Sequence, residues 1–153
     1  MLAANPRGAI YGTIVATAVI AATARHESPL IVLLTTVATL LVFWLAHVYS
    51  DVLDLQLREP GSDLKAVWSV MVRELSMLVA PGLSILFLVL GALGLLHERL
   101  AVNLALWTGV VQLVGWGTDV GRLRGRSWPA SLLGGAINGA FGLVIVVLEV
   151  LLH

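Results

Sequence analysis

The chain has 153 residues, of which 59% are hydrophobic and 12% charged, with a mean hydropathy of +0.98. That leaves too little polar surface for a water-soluble fold and makes lipid the expected solvent. Nine basic and nine acidic residues cancel, Lys65 is the only lysine, no polybasic run suits nucleic acid, and the absence of cysteine excludes disulfides and thiolate metal sites.

A helix crossing the hydrocarbon core needs roughly 17 to 25 mostly apolar residues, because lipid offers no partner to an unpaired backbone group. Five stretches satisfy this: 8–24, 30–53, 77–96, 100–119 and 128–152. The expected fold is therefore all-α, a single polytopic membrane domain over residues 1–153. It would be a bundle of about five transmembrane helices plus a short amphipathic helix at the interface. Pro6, Pro29 and Pro129 stand near the starts of spans, where a missing N–H does no harm.

In the first span, Gly8, Gly12 and Ala16 recur at a helix-packing interval. Ala22-Thr23-Ala24 would also serve as the cleavage site of a signal peptide, but the charged segment that should precede it is nearly absent. The second span carries Thr36, Thr39, Phe43, His47, Ser50, Asp51 and Asp54 on or near one stripe, with His47 and Asp51 one turn apart. Ionisable residues at membrane depth are functional candidates by default. An imidazole with a carboxylate at i+4 could relay protons or give two ligands to a divalent metal, and the same pattern could be an interhelical polar clamp.

After the second span, Arg58-Glu59-Pro60-Gly61 breaks the helix and Ser62 or Asp63 can cap a new one over about 63–76. Leu64, Val67, Trp68, Met71, Leu75 and Leu78 share one face of it, and Lys65, Ser69, Arg73 and Ser76 share the other. Glu74 lies on the margin of the apolar face, where a carboxylate needs a partner. The fourth span aligns Thr108, Gln112, Gly115 and Asp119, and Asp119 is within reach of Arg122 at i+3, which predicts a local ion pair. The fifth aligns Ser131, Gly135, Asn138, Gly142 and Glu149, with Gly139 beside them. Asn138, near the midplane, calls for a partner on another helix. The glycines of spans one and five predict that these two helices meet, within one chain or across a homodimer.

Seven of the nine basic residues (Arg7, Arg58, Lys65, Arg73, Arg122, Arg124 and Arg126) fall on one side of a five-span arrangement, and Arg25 and Arg99 on the other. The first side is then cytoplasmic, with the N-terminus, and His153 lies outside.

Three stretches resemble known ones. Arg7-Gly8-Ala9-Ile10-Tyr11-Gly12 resembles the opening of the first helix of the vacuolar iron transporter family. Ala46-His47-Val48-Tyr49-Ser50-Asp51-Val52 is similar to that family's A-G-E-Y-V-S-V stretch at the end of helix two. Gly121 to Ser131 (GRLRGRSWPAS) resembles its basic turn before helix five. The likeness in order of elements covers nearly the whole chain and implies five spans, a cytoplasmic N-terminus and a dimer. The departures bear on function. The metal-path aspartate of the family's N-D-G-I-V element falls in Ile14-Val15-Ala16, and Val15 cannot bind a cation. The family's helix-two methionine and glutamate fall on Trp44 and Val48, and its metal-binding helices are reduced to the segment from Asp54 to Ser76. A reduced scaffold without those ligands is what the resemblance implies.

Two functions are expected ahead of a third, a membrane enzyme, which would need clustered catalytic groups that the short loops do not supply. A transporter of divalent metal or protons would bring His47, Asp51, Glu74 and Asp119 together, whereas a structural or partner-binding membrane subunit needs only packed small-residue faces. The lipid bilayer is the one partner the composition demands. No nucleophile, base and acid set points to an enzyme, and the residues identify neither a cofactor nor a particular metal.

Overall fold

The computed structural model describes residues 5–24, 27–58 and 63–152. Arg25, Glu59 to Ser62 and His153, which entered the topology and capping arguments, lie outside the described residues. Among the described residues seven helices follow in order: α1 (Pro6–Thr23), α2 (Pro29–Arg58), α3 (Leu64–Glu74), α4 (Ser76–Val79), α5 (Gly82–Ala92), α6 (Glu98–Leu123) and α7 (Trp128–Leu152). No strand occurs among the described residues.

Among the described residues, two helices, Pro29–Arg58 and Glu98–Leu123, are long and apolar enough to cross a membrane, and a third crossing is added if α3–α4 and α5, bent by 57° at their break, act as one. This is consistent with a membrane protein, at two or three candidate crossings against the five expected. For the first and third stretches the difference has local causes. α1 is 18 residues long and includes Arg7 and three threonines. The third stretch is not the continuous 77–96 helix expected, because Pro81 interrupts it and the helix ends at Ala92. Pro81 has no N–H to give the Met77 carbonyl four residues earlier, and its ring crowds that carbonyl, so the axis turns there. α2 runs five residues past its expected end, to Arg58.

α1 lies centrally, in contact with α2, α4, α6 and α7. Its buried face is made of small residues: Gly8, Ala9, Gly12, Thr13, Ala16, Thr17 and Ala21, with Ile20. Thr13 and Thr17 satisfy their hydroxyls within the helix, donating to the Ala9 and Thr13 carbonyls at 2.8 and 2.7 Å, so a polar face can be buried without partners elsewhere. The core proper gathers Ile20, Val32, Leu88, Val102 and Ala105 from four helices. Large apolar side chains such as Leu34, Val42 and Leu45 of α2 point outward, as expected where the surroundings are lipid.

α6 and α7 form an antiparallel hairpin. Gly125, at φ +70°, occupies the left-handed position that ends α6; its N–H bonds the Arg122 carbonyl at 2.9 Å, and that of Arg126 bonds Gly121 at 3.2 Å. Small residues then line both sides of the seam. A Cβ on Gly121 would lie 2.8 Å from the Ser131 Cα, and one on Gly135 would lie 2.6 Å from the Val114 carbonyl.

The expectation that α1 and α7 meet through their glycines is corrected here. The two helices do touch, but Gly12 packs on Met77 and Gly8 on Ser76, while Gly135 and Gly139 pack on Val114 and Thr118 of α6. Helical spacing fixes which residues share a face, not which helix that face meets.

Candidate functional site

The polar residues singled out on α2 and α3 lie at the end of the bundle where α1 begins. Asn5 caps α1: its side-chain oxygen accepts the Gly8 N–H at 3.1 Å. Its amide nitrogen remains free to donate, and does so to Glu74 Oε1 at 2.8 Å. Glu74 closes α3 with its side chain only 6% exposed. A carboxylate so enclosed needs charged or strongly polar donors. Arg73 supplies the second, through Nε to the same Oε1 at 3.2 Å, while its Nη2 reaches the Asp51 carboxylate on α2. Ser76 donates to the Arg73 carbonyl at 3.3 Å, and Gly8 is seated on that hydroxyl.

The result is a cluster of two carboxylates around one guanidinium that joins α1, α2 and the α3–α4 junction. Its charges sum to −1, and arginine keeps its proton at any working pH. Exposure grades across it: Glu74 is enclosed, whereas the side chains of Arg73 and Asp51 are 51% and 39% exposed. The Glu74 arm is therefore the energetically weighty one, and the Asp51 arm is largely screened by water.

Of the four residues proposed to converge, only Asp51 and Glu74 come together, and they do so through Arg73. His47 lies one turn from Asp51, but its Nδ1 is 2.9 Å from the Phe43 carbonyl and its ring is tilted against Tyr11, with centroids 5.3 Å apart. Asp54 pairs with Arg58 on the exposed side of α2. Asp119 is exposed and makes no ion pair among the described residues, so the expected Asp119–Arg122 bridge is corrected. The turn at Gly125 brings Trp128 under Arg122, whose guanidinium carbon sits 4.4 Å from the ring centroid. No group of three or more His, Asp or Glu that could hold a metal occurs among the described residues.

Asn138 finds its acceptor on its own helix, the Gly134 carbonyl at 3.1 Å, and packs over Gly117 of α6 rather than bonding across to it. Two contributors were missed by sequence reasoning. Asn5 entered no sequence argument; its place directly before Pro6 was the signal for a cap, and nothing local signalled its bond to Glu74. Gln112 was aligned with Asp119, yet it donates from Nε2 to the Ala80 carbonyl at 2.8 Å and accepts from Ser84 at 3.2 Å. The signal available for that contact was the Pro81 break, which frees backbone carbonyls inside an apolar run.

Comparisons with protein-family models, with curated proteins and with solved structures yield no match.

Proposed function

We propose that the chain is a five-span integral membrane protein acting as a structural or partner-binding subunit, not as a carrier of ions. In this reading α1, α2, the bent α4–α5 run, α6 and α7 cross the bilayer, and α3 lies along the cytoplasmic interface. Drawn straight, Ser76 to Ala92 would rise about 25 Å; the 57° bend shortens the run, which therefore crosses as a short, kinked span. The exposed Leu64 and Trp68 of α3 suit contact with lipid, and Lys65 and Ser69 suit contact with water. The positive-inside bias puts the N-terminus in the cytoplasm and the C-terminus on the far side. A reporter fused after residue 153 should be active only outside the cytoplasm, and one inserted in the 124–126 turn only inside; the reverse pattern rejects this topology.

The position of Arg73 carries the functional reading. A fixed cation already occupies the space between Asp51 and Glu74, which is what an interhelical clamp requires and what a metal site must avoid. One observation favours the competing reading, a carrier of divalent metal or protons on a vacuolar-iron-transporter-like scaffold: Glu74 is a buried carboxylate, a common element of such paths. Transport assays decide between them. Proteoliposomes of the full chain should take up Fe²⁺, Mn²⁺ or protons no faster than protein-free liposomes. Uptake by the wild type that is lost with His47→Ala and Asp51→Asn together would establish the carrier instead.

A further inference from the structure

We propose that the break at Ala80–Pro81 is a hinge latched by Gln112. About it the α3–α4 unit swings relative to α5, and opening uncovers the buried Glu74. The two halves bend by 57° at this point. Pro81 removes the N–H that would bond Met77, and the next residue, Gly82, is exposed with nothing within 4 Å of where its Cβ would be. The backbone at the break is thus short of one hydrogen bond, and although Ala80 and Pro81 are buried, Gly82 beside them is free of packing and is the residue that can absorb a change in dihedral angles.

The halves differ in one neighbour each, α4 packing on α1 and α5 on α6, while α2 runs along both, touching α3, α4 and α5. One side chain bridges them. Gln112, on α6, donates to the Ala80 carbonyl in the break and accepts from Ser84 in α5, so a single amide fixes the angle between the two. Where lipid excludes competing water, these bonds set the angle at the break, in addition to the Glu74 cluster and the Gly12–Met77 contact that hold α3–α4 to the bundle. On the far side of the hinge from α5 lie Ser76, 6% exposed, and Glu74, 5% exposed, both covered by the start of α1. A swing of α3–α4 away from α1 would expose both, while the α5 face around Leu88, 0% exposed, would stay packed.

The chain has no cysteine, so single cysteines report directly. The full chain carrying Ser76→Cys, reconstituted in phosphatidylcholine nanodiscs, is reacted with a water-soluble maleimide, beside a Leu88→Cys control. Adding Gln112→Leu should raise the labelling rate at position 76 about tenfold, the population shift expected from losing its two interhelical hydrogen bonds, with position 88 unreactive. Ser84→Ala, which removes one arm of the latch, should act in the same direction by about threefold, and decides the matter alone if Gln112→Leu does not accumulate. Unchanged labelling at position 76 overturns the hinge. Equal acceleration at positions 76 and 88 overturns it too, since the whole bundle would then be loosening.

Discussion

Gly12→Ala should weaken the fold by about 2 kcal/mol, although alanine is the better helix former by roughly 1 kcal/mol. The reason is the nature of the obstacle. An added methyl at Gly12 would lie 2.7 Å from the Met77 carbonyl carbon and 2.9 Å from its Cα, and nearer still to the carbonyl oxygen. These are backbone atoms, which cannot rotate away as a side-chain end can. They belong, moreover, to the turn whose direction is set by Pro81. The Met77 carbonyl lost its helical donor to that proline, and it lies instead against a residue with no Cβ, which permits the close approach of α1. Gly115→Ala is the matched control. It sits inside α6 with nothing within 4 Å of its would-be Cβ, so the same substitution should be neutral or stabilising by up to about 1 kcal/mol. Thermal unfolding of the two variants in one detergent compares them directly. Equal midpoints would mean that α1 does not depend on this contact.

The same contact marks where sequence stops being informative. Hydropathy and helix-start prolines place α1, α2, α6 and α7 to within a few residues, because side-chain transfer to lipid and the missing proline N–H are local properties. Pro81 lies within a run just as apolar as the others, and a hydropathy reading registers its flanking leucines but not the hydrogen bond it deletes. Small-residue spacing likewise identified Gly12 and Gly135 as packing positions, yet their actual neighbours, Met77 and Val114, are fixed by the order in which helices are arranged about α1. That order is a tertiary property with no signature in either stripe.

The site divides in the same way. Helical phase is enough to single out Glu74 as a carboxylate on an apolar margin and Asp51 as a charge near a helix end. It cannot name their partners, since Asn5 is 69 residues from Glu74 and Asp51 is 22 from Arg73. Spacing alone does not decide between local partners either: Asp54 takes Arg58 one turn on, whereas Arg122, three residues from Asp119, lies on Trp128, which the chain reversal at Gly125 presents to it. A planar guanidinium gains from stacking on an indole at a site where an exposed ion pair is worth little.

Arg73→Ala should cost about 2 to 3 kcal/mol, and most of that loss should vanish when Glu74→Gln is added. Removing Arg73 leaves Glu74 enclosed with Asn5 as its one remaining donor, and an enclosed carboxylate short of a counterion is costly whatever else is retained. The range is set below the usual figure for breaking a buried pair because Arg73 is itself half exposed and water will fill part of its place. Glu74→Gln alone should cost only about 1 kcal/mol. Its amide oxygen can still accept from both Asn5 and Arg73, and Arg73 keeps Asp51. In the double variant no enclosed charge remains, so its stability should fall near that of Glu74→Gln. Arg58→Ala provides the exposed reference: its pair with Asp54 is 75% and 60% exposed, and losing it should cost under about 1 kcal/mol. Unfolding midpoints of the four variants in one lipid or detergent give the coupling. Strictly additive losses for Arg73→Ala and Glu74→Gln, or an Arg73→Ala no worse than Arg58→Ala, would show that Arg73 does not hold α3 to the bundle through Glu74.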